Sequence, residues 1–146
     1  MRNIVIRAYK PEDFIDIVDS SEPMVENREE QWAYAFRHAQ IGHNETFEVD
    51  GKVALVGGFI EIWPGTAEVW LKLSEDFKHS SAIVVMIRKR LDAWIGEQGF
   101  DRVQALCKRN WMEGRRFLEW LGMSYEGTLR KMGPHGEDQT LYARVR

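Results

Sequence analysis

At 146 residues, the chain has the length of one compact domain, and we expect a single domain that spans residues 1–146 around one hydrophobic core. The single cysteine excludes an internal disulfide, and the four histidines lack the close pairing with cysteines or carboxylates that a metal site needs, so we predict no metal site. A net charge of -3 excludes a nucleic-acid protein with a broad basic surface, and the lack of a long apolar run excludes a membrane-spanning segment.

The first elements are a strand and two helices. Residues 4–9 form a short β-like run, and Pro11 with the two acids after it suits the first turn of a helix. The apolar face of that helix consists of Phe14, Ile17 and Val18. We expect the helix to end in the loop at residues 20–23. Apolar residues then recur at helical spacing from residue 28 to residue 40, which predicts a second helix.

A change of the apolar period to two marks a run of antiparallel strands. Residues 45–49 alternate between polar and apolar, and an Asp-Gly pair at residues 50–51 is a favoured hairpin turn before the apolar run at residues 53–62. A Pro-Gly pair at residues 64–65 makes a second turn, after which the alternation continues to Leu73. The pattern predicts three consecutive antiparallel strands.

A long amphipathic helix and a buried strand come next. We expect Ser80 or Ser81 to cap this helix, and its apolar stripe continues to Gly96 or Gly99. Residues 102–107 then form a run that predicts a buried strand.

The last helix and a hairpin complete the chain. Asn110 is the predicted N-cap of this helix, and Gly122 closes it because glycine readily adopts the left-handed conformation of a C-cap. Residues 124–132 and 139–145 form the hairpin. The predicted order of elements is therefore β-α-α-β-β-β-α-β-α-β-β.

The last helix and the strand after it resemble a segment of a known family. Residues 116–123 read RFLEWLGM and residues 125–127 read YEG, which is similar to the "rFlekLGF…yEG" segment of the Gcn5-related N-acetyltransferases. The order of elements and the length of the chain also resemble that family. The resemblance implies an acyl-CoA N-acyltransferase-like α/β fold, with a mixed, mostly antiparallel sheet of about seven strands flanked by four helices.

The resemblance also implies a site for acetyl-CoA on the fourth strand and the helix after it. In the family, pantetheine pairs with that strand, and a glycine-rich loop offers backbone N–H groups to the pyrophosphate. The corresponding residues of this chain are Leu73, Lys78, His79, Ser80, Ser81 and Ala82. No glycine occurs from residue 78 to residue 83, so an ordinary serine-capped helix explains the segment as well as phosphate binding does. Asn110 resembles a family asparagine at the start of the last helix, although a structural N-cap explains it more simply.

Catalysis in the family is a direct attack of an amine on the thioester, and it needs a base for the amine's proton. Glu61 and Glu68 are the carboxylates on the central strands and are therefore the candidate bases, although a solvent-facing strand position explains each of them more simply. The family's tyrosine acid corresponds here to Leu118. Trp63 and Trp70 flank the glutamates and are the candidate residues for binding the acceptor.

Two functions from different classes stay open. The first is an acetyl-CoA-dependent N-acetyltransferase that acts on a primary amine of a small molecule or on a protein N-terminus. The second is a catalytically inactive module of the same fold, because the glycine-free loop and the leucine at the tyrosine position also resemble acetyltransferase-like virion proteins of tailed phages. The resemblance implies a homodimer as the default assembly, and a virion partner and location in the second case. Because the N-terminus shows no signal-peptide pattern, we expect a cytoplasmic location otherwise.

Overall fold

The computed structural model describes residues 3–17 and 28–146. The strands within these residues are β1 (Ile4–Ala8), β2 (His43–Val49), β3 (Lys52–Trp63), β4 (Thr66–Leu73), β5 (Arg102–Lys108), β6 (Ser124–Leu129) and β7 (Gln139–Val145). The α-helices are α1 (Pro11–Asp16), α2 (Arg28–Gln40), α3 (Ser81–Gln98) and α4 (Met112–Trp120). A short 3₁₀ turn, Glu75–Phe77, precedes α3. None of the described helices is long and apolar enough to cross a membrane.

The strands form one mixed sheet in the order β1-β2-β3-β4-β5-β7-β6. The pairs β1 with β2, β2 with β3, β5 with β7 and β6 with β7 are antiparallel, whereas β4 and β5 are parallel. A parallel pair needs a crossover connection, and α3 supplies it between β4 and β5. This architecture confirms the predicted α/β class with a mostly antiparallel sheet.

The chain divides into two compact units. The first comprises Met1–Ile60 and Trp70–Val84, and the second comprises Glu61–Val69 and Val85–Arg146. Strands β3 and β4 contribute residues to both units. The expectation of a single domain over residues 1–146 stays a prediction.

The first unit is built around a cluster of apolar side chains, which we call the aromatic cluster. Its buried members are Phe14, Ile17, Ala35 and Val56. The partly buried side chains that pack against them are Tyr9, Ile15, Tyr34, Val53 and Trp70. Helix α2 begins and ends at the predicted residues, but its buried residues are Ala35 and His38, whereas Phe36 is exposed.

Helix α1 is shorter than predicted. It ends at Asp16, and Ile17 has an extended backbone with φ -80° and ψ 123° while its side chain is buried in the aromatic cluster. The predicted end at residues 20–23 is therefore wrong, because the packing of Ile17 turns the chain out of the helix. Val18 and the loop at residues 20–23 themselves lie outside the described residues.

Asp13 fixes the start of α1. Its buried carboxylate accepts hydrogen bonds from the Lys10 backbone N at 2.9 Å, from Thr46 Oγ1 at 2.7 Å and from two Arg7 guanidinium nitrogens at 2.8 Å. Burial raises the pKa of this carboxyl, but the hydrogen bonds from Arg7 and Thr46 outweigh that effect, and the pKa lies below its usual value. The ionised carboxylate thus ties α1 to β1 and β2.

The predicted hairpin of β2 and β3 is confirmed. Asp50 and Gly51 both have positive φ, at 52° and 80°, as the two central residues of a type I′ turn require. Val49 pairs with Lys52 directly beside this turn. The turn type matches the twist of the flanking strands, which is why an Asp-Gly pair predicts it well.

One face of β5 is buried in the interior of the second unit. Val103, Ala105 and Cys107 are buried, whereas the residues between them, Gln104 among them, are only half-buried. The predicted strand at residues 102–107 is therefore present, but only one of its two faces is buried. The other side carries the polar residues on which the candidate site depends.

Helix α4 begins later than predicted. Its N-cap position is held by Trp111, with no side-chain cap, and Asn110 lies exposed in the preceding turn, where its carbonyl accepts a hydrogen bond from the Met112 backbone N at 3.2 Å. The predicted Asn110 cap is therefore wrong. The Trp111 ring folds over Gly114, where any Cβ would lie 2.2 Å from the ring, so packing of the indole decides where the helix starts. The predicted stop at Gly122 is confirmed, with φ 90°.

Candidate active site

The segment after β4 is a tight acidic turn. Leu73 is the last residue of β4, and Ser74 caps the 3₁₀ turn because its Oγ accepts a hydrogen bond from the Asp76 backbone N at 3.3 Å. Asp76 pairs with Lys52 at 2.8 Å, and Glu75 is exposed. Sequence reasoning missed this turn, which adds two carboxylates shortly before the predicted anion site. The acids beside Ser74 were the signal, because acids favour the start of a helical turn.

Ser80 is the N-cap of α3. Its Oγ accepts a long hydrogen bond of 3.4 Å from the Ile83 backbone N, and its own backbone N donates to the Phe77 carbonyl at 3.0 Å. The serine-capped helix that the sequence predicts is therefore present. Phosphate binding by the same residues stays a prediction.

The residues around this cap suit an anion in charge and exposure. Lys78 is half-buried, whereas His79, Ser81 and Ala82 are exposed. The first N–H groups of any helix have no partner within the helix, and Ser81 and Ala82 supply two of them here. Both residues are small and exposed, and the binding of a pyrophosphate at this first turn of α3 stays a prediction.

The parallel pairing of β4 with β5 is short. Within the described residues it comprises Thr66 with Arg102, Ala67 with Val103 and Glu68 with Gln104. Beyond Gln104, β5 continues and stays paired with β7 as far as Lys108. Glu68 therefore lies on the last pair of this ladder.

The two candidate bases differ in their surroundings. Glu61 is exposed near the end of β3. Glu68 is half-buried on β4, and its Oε1 accepts a hydrogen bond of 3.3 Å from Gln104 Nε2. Of the two carboxylates, Glu68 is the one that a neighbouring side chain holds in a defined orientation.

Gln104 belongs to a longer set of polar contacts that sequence reasoning missed. Its Oε1 accepts a hydrogen bond of 3.1 Å from Arg102 Nε, and Arg102 in turn donates two hydrogen bonds, at 3.1 and 2.7 Å, to the carboxylate of Glu126. Arg102 holds the pKa of Glu126 below its usual value by these hydrogen bonds. The signal in the sequence was the alternation of polar residues 102 and 104 with apolar residues 103 and 105.

The two candidate acceptor-binding tryptophans lie in different surroundings. Trp63, in the second unit, is 65% exposed. Trp70, in the first unit, stacks on His38 with ring centroids 3.9 Å apart, and its Nε1 donates to Asn44 Oδ1 at 3.2 Å. Trp70 thus has a packing role within the aromatic cluster, and binding of an acceptor by either indole stays a prediction.

His38 is a buried imidazole that sequence reasoning passed over. Within the described residues, neither ring nitrogen has a hydrogen-bond partner, and the ring stacks on Trp70 and meets the Tyr34 ring nearly at a right angle. Burial, with a smaller effect of Arg37, lowers the pKa of His38 to about 4. The ring is therefore neutral at neutral pH and behaves as an aromatic packing residue.

Cys107 is buried at the end of β5. Burial raises the pKa of its thiol to about 11, so the thiolate needed for nucleophilic attack is absent at neutral pH. The described residues also hold no cluster of three or more His, Cys, Asp or Glu side chains able to bind a metal ion.

Leu118 occupies the position of the family's tyrosine acid, and it is half-buried on α4. A phenol does reach this helix from β7, because Tyr142 is buried beneath it. The Tyr142 hydroxyl accepts a hydrogen bond from Arg115 Nε at 3.0 Å and donates to Glu119 Oε1 at 3.4 Å. These contacts make Tyr142 a link between sheet and helix.

Comparison with known proteins gives fold matches only. No protein-family model matches the sequence, and no curated protein matches it. The crystal structure of the acetyltransferase (GNAT family) from Bacillus anthracis matches with a TM-score of 0.74 and 18% identity, over 97% of this chain and 94% of that chain.

Two further solved structures match to a similar extent. The spermidine N-acetyltransferase SpeG K23-Q34 chimera from Vibrio cholerae and hSSAT has a TM-score of 0.73 and 15% identity, over 97% of this chain and 95% of that chain. RimL, a ribosomal L7/L12 alpha-N-protein acetyltransferase in complex with coenzyme A, has a TM-score of 0.72 and 14% identity, over 97% and 93%. Identities this low establish the fold alone. The chain therefore has the fold of the Gcn5-related N-acetyltransferases, as the sequence predicts.

Proposed function

We propose that this chain is an N-acyltransferase that moves an acetyl group from acetyl-CoA to a primary amine. The observation that carries the proposal is the position of Glu68, a half-buried and hydrogen-bonded carboxylate on the last pair of the β4–β5 ladder. In open α/β sheets, ligands bind beyond the carboxyl ends of parallel strands. The fold that the chain shares with solved acetyltransferases supports the same function.

Glu68 is the proposed general base. The amine nitrogen attacks the thioester carbonyl carbon, a C–N bond forms, the C–S bond breaks, and coenzyme A leaves as the thiolate while Glu68 takes the amine's proton directly or through one water. Leu118 has no proton to give, so water protonates the thiolate. Cys107 takes no part because it stays a thiol. Glu61 is the second candidate base, and its exposure makes it the weaker one.

Acetyl-CoA would be held by the segment that begins at the end of β4. Leu73 would pair with pantetheine through its backbone, and the pyrophosphate would bind at the first turn of α3, where Lys78 adds a positive charge. His79 and Ser80 border that turn. Asn110, exposed in the turn before α4, would be a further contact.

The acceptor is proposed to be a small-molecule amine or a protein N-terminus. The matching structures support both classes, because one is named for spermidine and another for the α-amino group of a ribosomal protein. Trp63 is the exposed indole available to an acceptor. Trp70 would contribute through an edge of its ring, because one of its faces is already stacked on His38.

Calorimetry with coenzyme A tests the cofactor site. We expect binding by the wild-type protein, together with a higher melting temperature, and at least tenfold weaker binding by Ala82→Asp, because an acid at a helix start favours the helix but repels a pyrophosphate. Ser124→Asp, which adds the same charge at an exposed position of β6, is the matched control. Neither heat nor a melting shift at millimolar coenzyme A would contradict the proposal.

A binding module without catalysis is the second candidate, and the 65% exposed Trp63 favours it, because large exposed aromatic side chains often mark interfaces. Its partner would be a second copy of this chain or, for a phage-encoded chain, a virion protein. If this is the function, Trp63→Ala should abolish association with that partner. The wild-type protein should then show no binding of coenzyme A.

A further inference from the structure

Four side chains of the second unit form a continuous polar row. They are Glu68 on β4, Gln104 and Arg102 on β5, and Glu126 on β6. Glu68 and Gln104 are 36 positions apart in the sequence, and Arg102 and Glu126 are 24 positions apart. Each member is half-buried or exposed, so the row lies at the surface of the unit.

The orientation of the Gln104 amide is determined at both ends. A guanidinium only donates hydrogen bonds, so the atom of Gln104 that faces Arg102 must be its oxygen. The NH₂ group then faces the carboxylate of Glu68, which only accepts when it is ionised. The reverse orientation would oppose two donors at one end and two acceptors at the other. Arg102 therefore decides which group Gln104 offers to Glu68.

Arg102 is held in place by Glu126, which lies in a β-bulge of β6. The pairing of β6 with β7 shifts between Tyr125 and Gly127, which leaves Glu126 as the extra residue of a β-bulge. Bulges re-aim side chains, and the carboxylate of Glu126 meets Arg102 with both of its oxygens, at 2.7 and 3.1 Å. A bidentate guanidinium–carboxylate pair has one preferred geometry, so Glu126 orients the donor that in turn orients Gln104.

We propose that Gln104 is a positioning residue for Glu68, and that the Arg102–Glu126 pair sets its orientation. The proposal rests on the proposed function, in which Glu68 is the base. Gln104 occupies Oε1 of Glu68, while Oε2 receives no hydrogen bond from the described residues. One oxygen is thus held and the other is available to the amine's proton. A carboxylate held in this way loses less rotational freedom when the acceptor arrives.

A double-mutant cycle between Glu68 and Gln104 tests this role. Turnover is followed by release of the coenzyme A thiol from acetyl-CoA, with spermidine and an alanine-initiated peptide as the two probe amines. We expect Glu68→Gln to lower kcat/KM about 100-fold and Gln104→Met about tenfold, because a general base contributes more than one hydrogen bond. The double variant should be no slower than Glu68→Gln alone, because Gln104 acts through Glu68.

Two further variants make the cycle specific. Arg102→Lys keeps the positive charge but removes the Nε–H donor, and we expect a smaller loss that also disappears in the Glu68→Gln background. Gln98→Met, at the exposed end of α3, is the matched control and should leave kcat/KM unchanged. All variants should keep the wild-type affinity for coenzyme A, which also establishes that they are folded.

The outcomes distinguish a failure of the positioning role of Gln104 from a failure of the proposed acetyl transfer. Equal losses from Gln104→Met in the wild-type and Glu68→Gln backgrounds would contradict the positioning role and leave acetyl transfer intact. The same conclusion follows if Gln104→Met costs nothing. Absence of turnover by the wild type with both amines would instead overturn the proposed function, and the role of Gln104 with it.

Discussion

Glu68 and Trp70 lie two residues apart on β4, yet the two units surround them differently. Trp70 belongs to the aromatic cluster of the first unit, where ring contacts and one hydrogen bond hold it. Glu68 belongs to the polar row of the second unit, where side-chain hydrogen bonds hold it. Tight apolar packing stabilises a fold, whereas a half-buried polar row contributes little stability and can orient a reactive group. The comparison predicts that substitutions in the two places affect different quantities.

Trp70→Ala should have the largest effect on stability. We expect the free energy of unfolding to fall by about 3 kcal/mol, because the change removes an indole packed on His38, Phe14 and Tyr9. Denaturant titration measures it. Trp63→Ala is the matched control and should cost less than about 0.5 kcal/mol, because the side chain is 65% exposed. Equal costs for the two variants would contradict the packing role of Trp70.

Asp13→Asn should have the next largest effect. We expect a loss of about 2 kcal/mol at neutral pH, because an amide cannot accept all the hydrogen bonds from Arg7, Thr46 and Lys10 that the carboxylate accepts. The lowered pKa of Asp13 means that this stability is present above the carboxyl pKa of the unfolded chain and is lost as the pH falls below it. Asp16→Asn, in the same helix but exposed, should change little.

His38→Phe should have a smaller effect that depends on pH. The pKa of His38 falls from 6.5 to about 4 on folding, so as the pH drops the imidazole is protonated in the unfolded chain before it is protonated in the folded chain. Wild-type stability therefore declines between these two pH values. Phenylalanine removes this decline and should change stability at neutral pH by no more than about 1 kcal/mol. Denaturant titrations across the pH range measure the difference between the two proteins. A parallel decline in both would show that His38 is not the responsible group.

Gln104→Met should have the smallest effect on stability. We expect a change of less than about 1 kcal/mol, since the side chain is half-buried and its net hydrogen-bond contribution is modest. The same variant should lower turnover about tenfold if Gln104 orients the base. A large loss of stability with unchanged turnover would contradict this account, because it would give the polar row the stabilising role that we assign to the aromatic cluster.

Local patterns predict much of the fold. The limits of α2, the turn at Asp50 and Gly51 and the helix stop at Gly122 all follow from residues close in sequence. The end of α1 and the start of α4 do not, because the packing of Ile17 and Trp111 decides them. Tertiary packing overrides local propensity at such boundaries.

The candidate site is less predictable than the fold. Glu68 and the segment before α3 can be named from their positions in the order of elements. Gln104, Arg102 and Glu126 cannot, because their contacts join strands that only the folded sheet brings together. The alternation along β5 indicates a polar face but not which partner each polar residue meets.

Acetyl transfer itself is tested most directly by its product. The wild-type protein and Glu68→Gln are incubated with acetyl-CoA and either spermidine or an alanine-initiated peptide, and the acetylated amine is measured by mass spectrometry. We predict acetyl-CoA-dependent product from the wild type with at least one amine, and about 100-fold less from Glu68→Gln. Equal amounts of product from the two proteins would contradict Glu68 as the base, and no product from the wild type would contradict acetyl transfer to these amines.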